Sequence, residues 1–139
     1  MTWKIYALLA ALFAALTAIF AKIGIDGIDS NLATGIRTVV ILVLIWGIVF
    51  ATVPLADMKS LTLTNWTFLI LSGLATGLSW MFYFYAIKHG PVSQVAPIDK
   101  LSVALTIVLS FVILGEAVSW QVIVGGLLIV SGTLFMLWK

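Results

Sequence analysis

The stretch VSQVAPIDKLSVALTIVLSFVIL, Val92 to Leu114, is apolar enough to cross a bilayer, yet it carries Asp99 and Lys100 side by side near its middle. A membrane helix needs about 20 mostly apolar residues, and this run meets that length. Its thirteen Leu, Ile, Val and Phe residues contribute roughly −6 kcal/mol on an insertion scale, against roughly +6 for two central charges. Such a helix barely inserts alone and needs partner helices. The run's midpoint falls near Ser102 or Val103, which puts the two charges about 4 to 5 Å from the midplane by helical rise. Sequence neighbours point about 100° apart on a helix, so the pair is expected to leave along separate faces without neutralising itself. Asp99 shares a stripe with Ser102, Thr106 and Ser110, and Lys100 shares one with Pro97 and Ser93. Pro97 removes a backbone donor and kinks a helix, freeing a carbonyl about one turn earlier.

Four more runs have the same character, and the five are placed at about 3 to 23, 33 to 53, 66 to 88, 92 to 114 and 120 to 138. GIDGIDSN, PLADMKSLTLTN, HGP and GEAVS separate them with turn and cap residues. The expected fold class is an all-α integral membrane protein with five transmembrane helices, a single domain over 1–139. A membrane barrel would show about 10-residue alternating segments instead. Composition agrees: 63% of residues are hydrophobic and 9% charged, with a mean hydropathy of +1.26, whereas soluble domains are roughly half apolar. The N-terminal run IYALLAALFAALTAIFA exceeds the roughly 7 to 15 apolar residues of a signal-peptide core and lacks a clean A-x-A site, so it reads as a retained helix. The net charge of +2 includes no basic run suited to a phosphate backbone, and nucleic acid is not an expected partner. Cysteine is absent, which removes disulfides and thiolate metal sites.

Trp3, Tyr6, Trp66, Trp120 and Trp138 stand at span ends, as in an interfacial aromatic belt. Trp46 and Trp80 lie deeper, each about three residues from the middle of its span, or roughly 4.5 Å. With five spans the termini face opposite sides. Lys4 and Lys59 then oppose Lys22, Arg37, Lys88, Lys100 and Lys139, and setting aside the three within spans, Lys22, Arg37 and Lys100, leaves two against two. The orientation signal is accordingly weak. Small residues at helical spacing predict contact faces: Ala7, Ala11, Ala14 and Ala18 in the first helix, Gly73 and Gly77 in the third, and Gly125 with Gly132 in the fifth, Gly126 lying beside them.

Asp99 and Lys100 admit two readings. They pair with charges on other helices, such as Lys22 or Arg37, and fix assembly, or they line a solute path, as buried intramembrane charges commonly do. Glu116 lies in a short connection, where a solvated or capping carboxylate is expected, and His89 beside Gly90 and Pro91 reads as an exposed turn residue. WMFYFYA, Trp80 to Ala86, could wall a site for cationic or planar solutes or pack the bundle. The sequence offers no phosphate loop, no zinc-ligand constellation and no nucleophile with a paired base. Neither an enzyme nor a cofactor is expected.

The C-terminal half, PVSQVAPIDKLSVALTIVLSFVILGEAVSWQVIVGGLLIVSGTLFML, closely resembles the end of an EamA domain of the drug/metabolite transporter superfamily. The resemblance rests on Pro97 in the fourth helix, the LGE of Leu114 to Glu116 that closes it, and the glycine-bearing GGLLIVSG of the fifth. Lys22 late in the first helix and Arg37 early in the second extend it over essentially the whole chain. It implies a secondary transporter or exporter of small solutes in the inner or plasma membrane. Longer relatives carry two five-helix units as an inverted repeat with the solute path between them, and this chain supplies one. The implied assembly is therefore an antiparallel homodimer working by alternating access. Asp99, Lys100, Lys22 and Arg37 would surround its cavity, with Trp46, Trp80 and Tyr83 as aromatic walls. The first helix lacks the central acid typical of the four-helix small multidrug relatives, so proton coupling by that route is not expected. Two other functions fit a single unit: a non-transporting assembly subunit, and a flippase for lipid-linked groups.

Overall fold

The computed structural model describes residues 3–138; Lys139, counted in the charge balance above, lies outside them. Among the described residues there is no strand, and the helices are α1 (Trp3–Gly24), α2 (Ser30–Thr52), α3 (Leu63–His89), α4 (Val92–Asp99), α5 (Leu101–Leu114) and α6 (Trp120–Leu137), with a 3-10 turn at Leu55–Ser60 between α2 and α3. Counting α4 and α5 as one span, five stretches are long and apolar enough to cross a membrane. The all-α, five-span expectation holds. The chain divides into two compact units, residues 19–89 and residues up to 18 together with 90 onward.

In the unit of residues 19–89, α2 lies against α3. Two side-chain caps set where these helices begin. Asp29 Oδ1 accepts from the backbone N–H groups of Asn31 at 2.8 Å and Leu32 at 3.3 Å, satisfying donors that a helix start leaves open. Before α3, Thr62 N–H donates to Asn65 Oδ1 at 3.0 Å while Asn65 N–H donates to Thr62 Oγ1 at 3.2 Å, a reciprocal box. Both helices therefore start three residues earlier than hydropathy placed them, because caps recruit polar residues that an apolar window leaves out. Gly27, with φ +73°, turns the chain between α1 and α2 in a conformation glycine adopts without steric cost.

In the other unit, α6 lies against both α4 and α5. The fourth span is broken: α4 ends at Asp99, and Lys100 has φ −72° and ψ −6° before α5 begins. Lys100 N–H donates to Pro97 O at 3.0 Å and Val103 N–H to Lys100 O at 3.0 Å. Both bonds have the three-residue spacing of a tightened turn. α5 ends on Gly115, whose φ of +66° lets its own N–H reach Ser110 O, and the Glu116 N–H reaches the same oxygen at 3.2 Å. The LGE sequence thus closes the helix through its glycine and backbone, as left-handed caps do, and the Glu116 side chain is left exposed.

The close approach between α5 and α6 falls at Gly126, where an added Cβ would stand 2.9 Å from Ile107 Cδ1. At Gly73, Gly77, Gly125 and Gly132 nothing lies within 4 Å of the same position.

Candidate functional site

The first candidate is the break in the fourth span. Lys100 Nζ donates to Asp99 Oδ2 at 3.2 Å, and the two side chains keep 54% and 36% of their surface exposed, respectively. This corrects the expectation that the charges diverge without neutralising one another. A 100° separation fixes only the Cβ directions; Lys100 stands in the tightened turn between α4 and α5, and its long stem swings back to its neighbour. The turn itself is tethered. Thr133 on α6 is buried, and its Oγ1 lies 2.8 Å from Ile129 O in its own helix and 3.3 Å from Pro97 O. Ser102 Oγ donates to Asp99 O at 2.7 Å, so the carbonyls around the break have side-chain donors as well as the tightened backbone bonds. Broken membrane helices with satisfied backbone are tolerated where they meet protein or a watery cavity.

The second candidate lies in the other unit, around Arg37. Its guanidinium carbon stands 4.8 Å from the Trp80 ring centre and 5.1 Å from that of Phe84. These residues are one turn apart on α3, and Phe84 is buried. Tyr83, beside Phe84 on α3, has its ring edge-on to that of Phe84, 6.4 Å between centres at 66°. An arginine within a membrane span costs about 2.5 to 3.5 kcal/mol on an insertion scale, and a desolvated cation–π contact returns about 2. The two rings therefore offset much of the cost of the charge without neutralising it.

Lys22, at the end of α1, donates from Nζ to Ile87 O at 2.5 Å. That carbonyl belongs to the last turn of α3, where a cation complements the helix dipole. Lys22 also lines a cavity of about 560 Å³ together with Ile23, Ile25, Asp26, Gly27 and Lys88. This cavity lies at the helix ends, where the α1–α2 turn meets the end of α3.

Within each unit the expected site residues meet particular neighbours. Asp99, Lys100 and Pro97 meet at the break, Arg37 meets Trp80 with Tyr83 near, and Lys22 caps α3. Trp46 stands further along α2, its ring 5.4 Å from that of Phe50 on the next turn, and Glu116 lies in the α5–α6 connection. His89 caps its own helix end, with Nδ1 2.8 Å from Tyr85 O. Sequence reasoning missed Thr133, Phe84, Asp26 and Lys88. Phe84 stood inside the noted WMFYFYA cluster one turn beyond Trp80, and that spacing was its signal. Thr133 carried none, since one threonine in an apolar helix does not disclose its partner. No group of three or more His, Asp or Glu side chains suited to a metal ion occurs among the described residues.

A family model described as the EamA-like transporter family matches residues 1–138. The chain is 46% identical over 135 residues to a Sinorhizobium protein named "Uncharacterized transporter in cobO 3'region", covering 97% of this chain and 96% of that one. It is also 27% identical over 99 residues to an uncharacterized protein of Methanocaldococcus jannaschii, covering 69% of this chain and 72% of that one. No solved structure matches.

Proposed function

The chain belongs to the EamA-like transporter family, and we propose that it is one five-helix unit of a secondary transporter that carries small solutes across the inner or plasma membrane. The observation that carries this reading is the broken fourth span, where a charged pair stays exposed at a depth that lipid alone would not accommodate. Interrupted helices of this kind supply solute sites in transporters built from paired repeats. In this reading the whole chain acts as a single transport domain. Two copies in opposite orientations enclose the path and rock against each other in alternating access. The near-balance of lysine and arginine on the two sides supports insertion in both orientations, and the reading calls for no covalent chemistry.

The test is uptake or counterflow in proteoliposomes with native protein, Asp99→Asn and Lys100→Met. The expected result is movement of a solute by native protein and its loss in both variants, with unchanged elution from a sizing column. Full transport by both variants would remove the pair from the mechanism. The cysteine-free background allows single cysteines near each terminus to be labelled from either side. Labelling of each terminus from both sides is expected, and a uniform orientation would sink the antiparallel homodimer.

One observation favours a second reading, flipping of lipid-linked groups. Lys22 and Lys88 line one cavity at the helix ends, where a headgroup phosphate would meet them. Translocation of a fluorescent phospholipid in the same vesicles, lost on Lys88→Met, would select this reading over solute transport.

A further inference from the structure

We propose that Arg37 is a receptor for an oxyanion, the carboxylate of an organic acid that the protein carries. This inference rests on the transporter reading above and adds to it the charge and shape of the solute.

Arg37 is seven residues into α2 from Ser30, about 10 Å of helical rise. The rings it faces belong to residues nine and five positions before His89, the end of α3, so they lie about 7 to 14 Å inside that end. A long cationic side chain free of contacts would extend to the water. This one is held by Trp80 and Phe84 inside the span.

The sequence has five acidic residues. Asp99 is paired with Lys100, Asp29 caps α2, Asp26 lies in the turn after α1, Asp57 in the 3-10 turn, and Glu116 in the α5–α6 connection. Among the described residues no carboxylate and no hydrogen bond is found at the guanidinium, whose contacts are the rings of Trp80 and Phe84. Aromatic contacts hold a cation but leave its N–H fork without acceptors. The complement of that fork is a planar carboxylate bound through two parallel hydrogen bonds, or a phosphate. An apolar surround strengthens such a pair relative to water. The neighbouring Trp80 and Tyr83 rings favour a solute with a flat apolar body behind its charged end.

Arg37 is the sole arginine of the sequence, so protein labelled with 15N-arginine gives a single side-chain Nε–H resonance, which reports on this site without any transport. In maltoside micelles at fixed ionic strength, sodium benzoate is expected to move that resonance saturably, while benzamide and benzylammonium leave it in place. Trp80→Leu is expected to weaken the benzoate titration several-fold, and Trp80→Phe to preserve it. Equal shifts with benzoate and benzamide, or a benzoate shift that never saturates, would overturn the proposal. A lipid headgroup offers the same oxyanion chemistry. A resonance that moves only when phosphatidylglycerol is added, and not with benzoate, would overturn the solute assignment in favour of the headgroup.

Counterflow of labelled phthalate in vesicles separates this inference from the one beneath it. A saturable benzoate shift without counterflow of any solute keeps the oxyanion receptor and removes the transporter reading. Transport of neutral or cationic solutes with an unresponsive Arg37 does the reverse. Where phthalate moves, Arg37→Lys is expected to raise KM several-fold and Arg37→Gln to abolish transport, both variants eluting as native protein does.

Discussion

The Thr133 hydroxyl oxygen on α6 lies 3.3 Å from the carbonyl oxygen of Pro97 in the broken fourth span and 2.8 Å from Ile129 O in its own helix. One hydroxyl proton is thus shared between a helix and the kink it faces. Thr133→Val keeps the shape and removes the donor. Hydrogen bonds between membrane helices average about 0.6 kcal/mol and reach about 1.7, so a loss of about 0.5 to 1.5 kcal/mol is expected in reversible unfolding from mixed micelles. Thr133→Ser should keep most of that stability. A valine variant as stable as native protein would show that the tether contributes nothing.

The two adjacent glycines of α6 are expected to behave differently. A Cβ on Gly126 would stand 2.9 Å from Ile107 Cδ1, while one on Gly125 meets nothing within 4 Å. The obstructing atom is the flexible end of a side chain, so Gly126→Ala costs about 1 kcal/mol or less as Ile107 turns aside, and Gly126→Leu costs about 1 to 3 by overpacking. Gly125→Ala should be neutral or slightly stabilising. Adding Ile107→Ala to Gly126→Leu should recover part of the loss, as a double-mutant cycle in the same unfolding assay would show.

Lys22 is expected to act on the end of α3. Its ammonium donates to Ile87 O, and Lys22→Met removes that charge-assisted bond while keeping the apolar stem. A loss of about 1 kcal/mol is reasonable for a partly exposed bond to a charged group. Hydrogen exchange should rise at the backbone amides of residues 86–89 and stay constant in α5 and α6. Uniform exchange across the whole chain, or none at the end of α3, would contradict a capping role.

Helices, caps and close contacts differ in how legible they were. The helices were readable because five runs are long and apolar enough to cross a bilayer, and Pro97, with no N–H to give, signalled an irregular fourth span. Capping Asp29 and Thr62 were invisible to hydropathy, which is why α2 and α3 begin earlier than their apolar residues. The pairing of Asp99 with Lys100 was hidden for another reason. Neighbours diverge by 100° only in their Cβ directions, and at the tightened turn of Lys100 a long stem reaches back to Asp99. Gly126 illustrates a third limit: sequence spacing marks small residues, but only the crossing of α5 and α6 decides which one a neighbour approaches.

The local pairing of Asp99 and Lys100 gives a test that separates their structural from their functional roles. Neutralising one partner strands the other charge in the span, so Asp99→Asn and Lys100→Met should each lower stability, by about 1 to 3 kcal/mol at this partly exposed pair. Neutralising both removes the ion pair together with its desolvation cost, and the double variant should insert and unfold about as native protein does. Exchanging the residues, Asp99→Lys with Lys100→Asp, keeps the pair and its net charge, and it should also preserve stability. Transport divides the two roles. A pair that only holds the turn predicts that both double variants transport, whereas a pair that meets the solute predicts two stable, inactive proteins. The transporter reading expects the second result, read as counterflow in vesicles beside unfolding from mixed micelles.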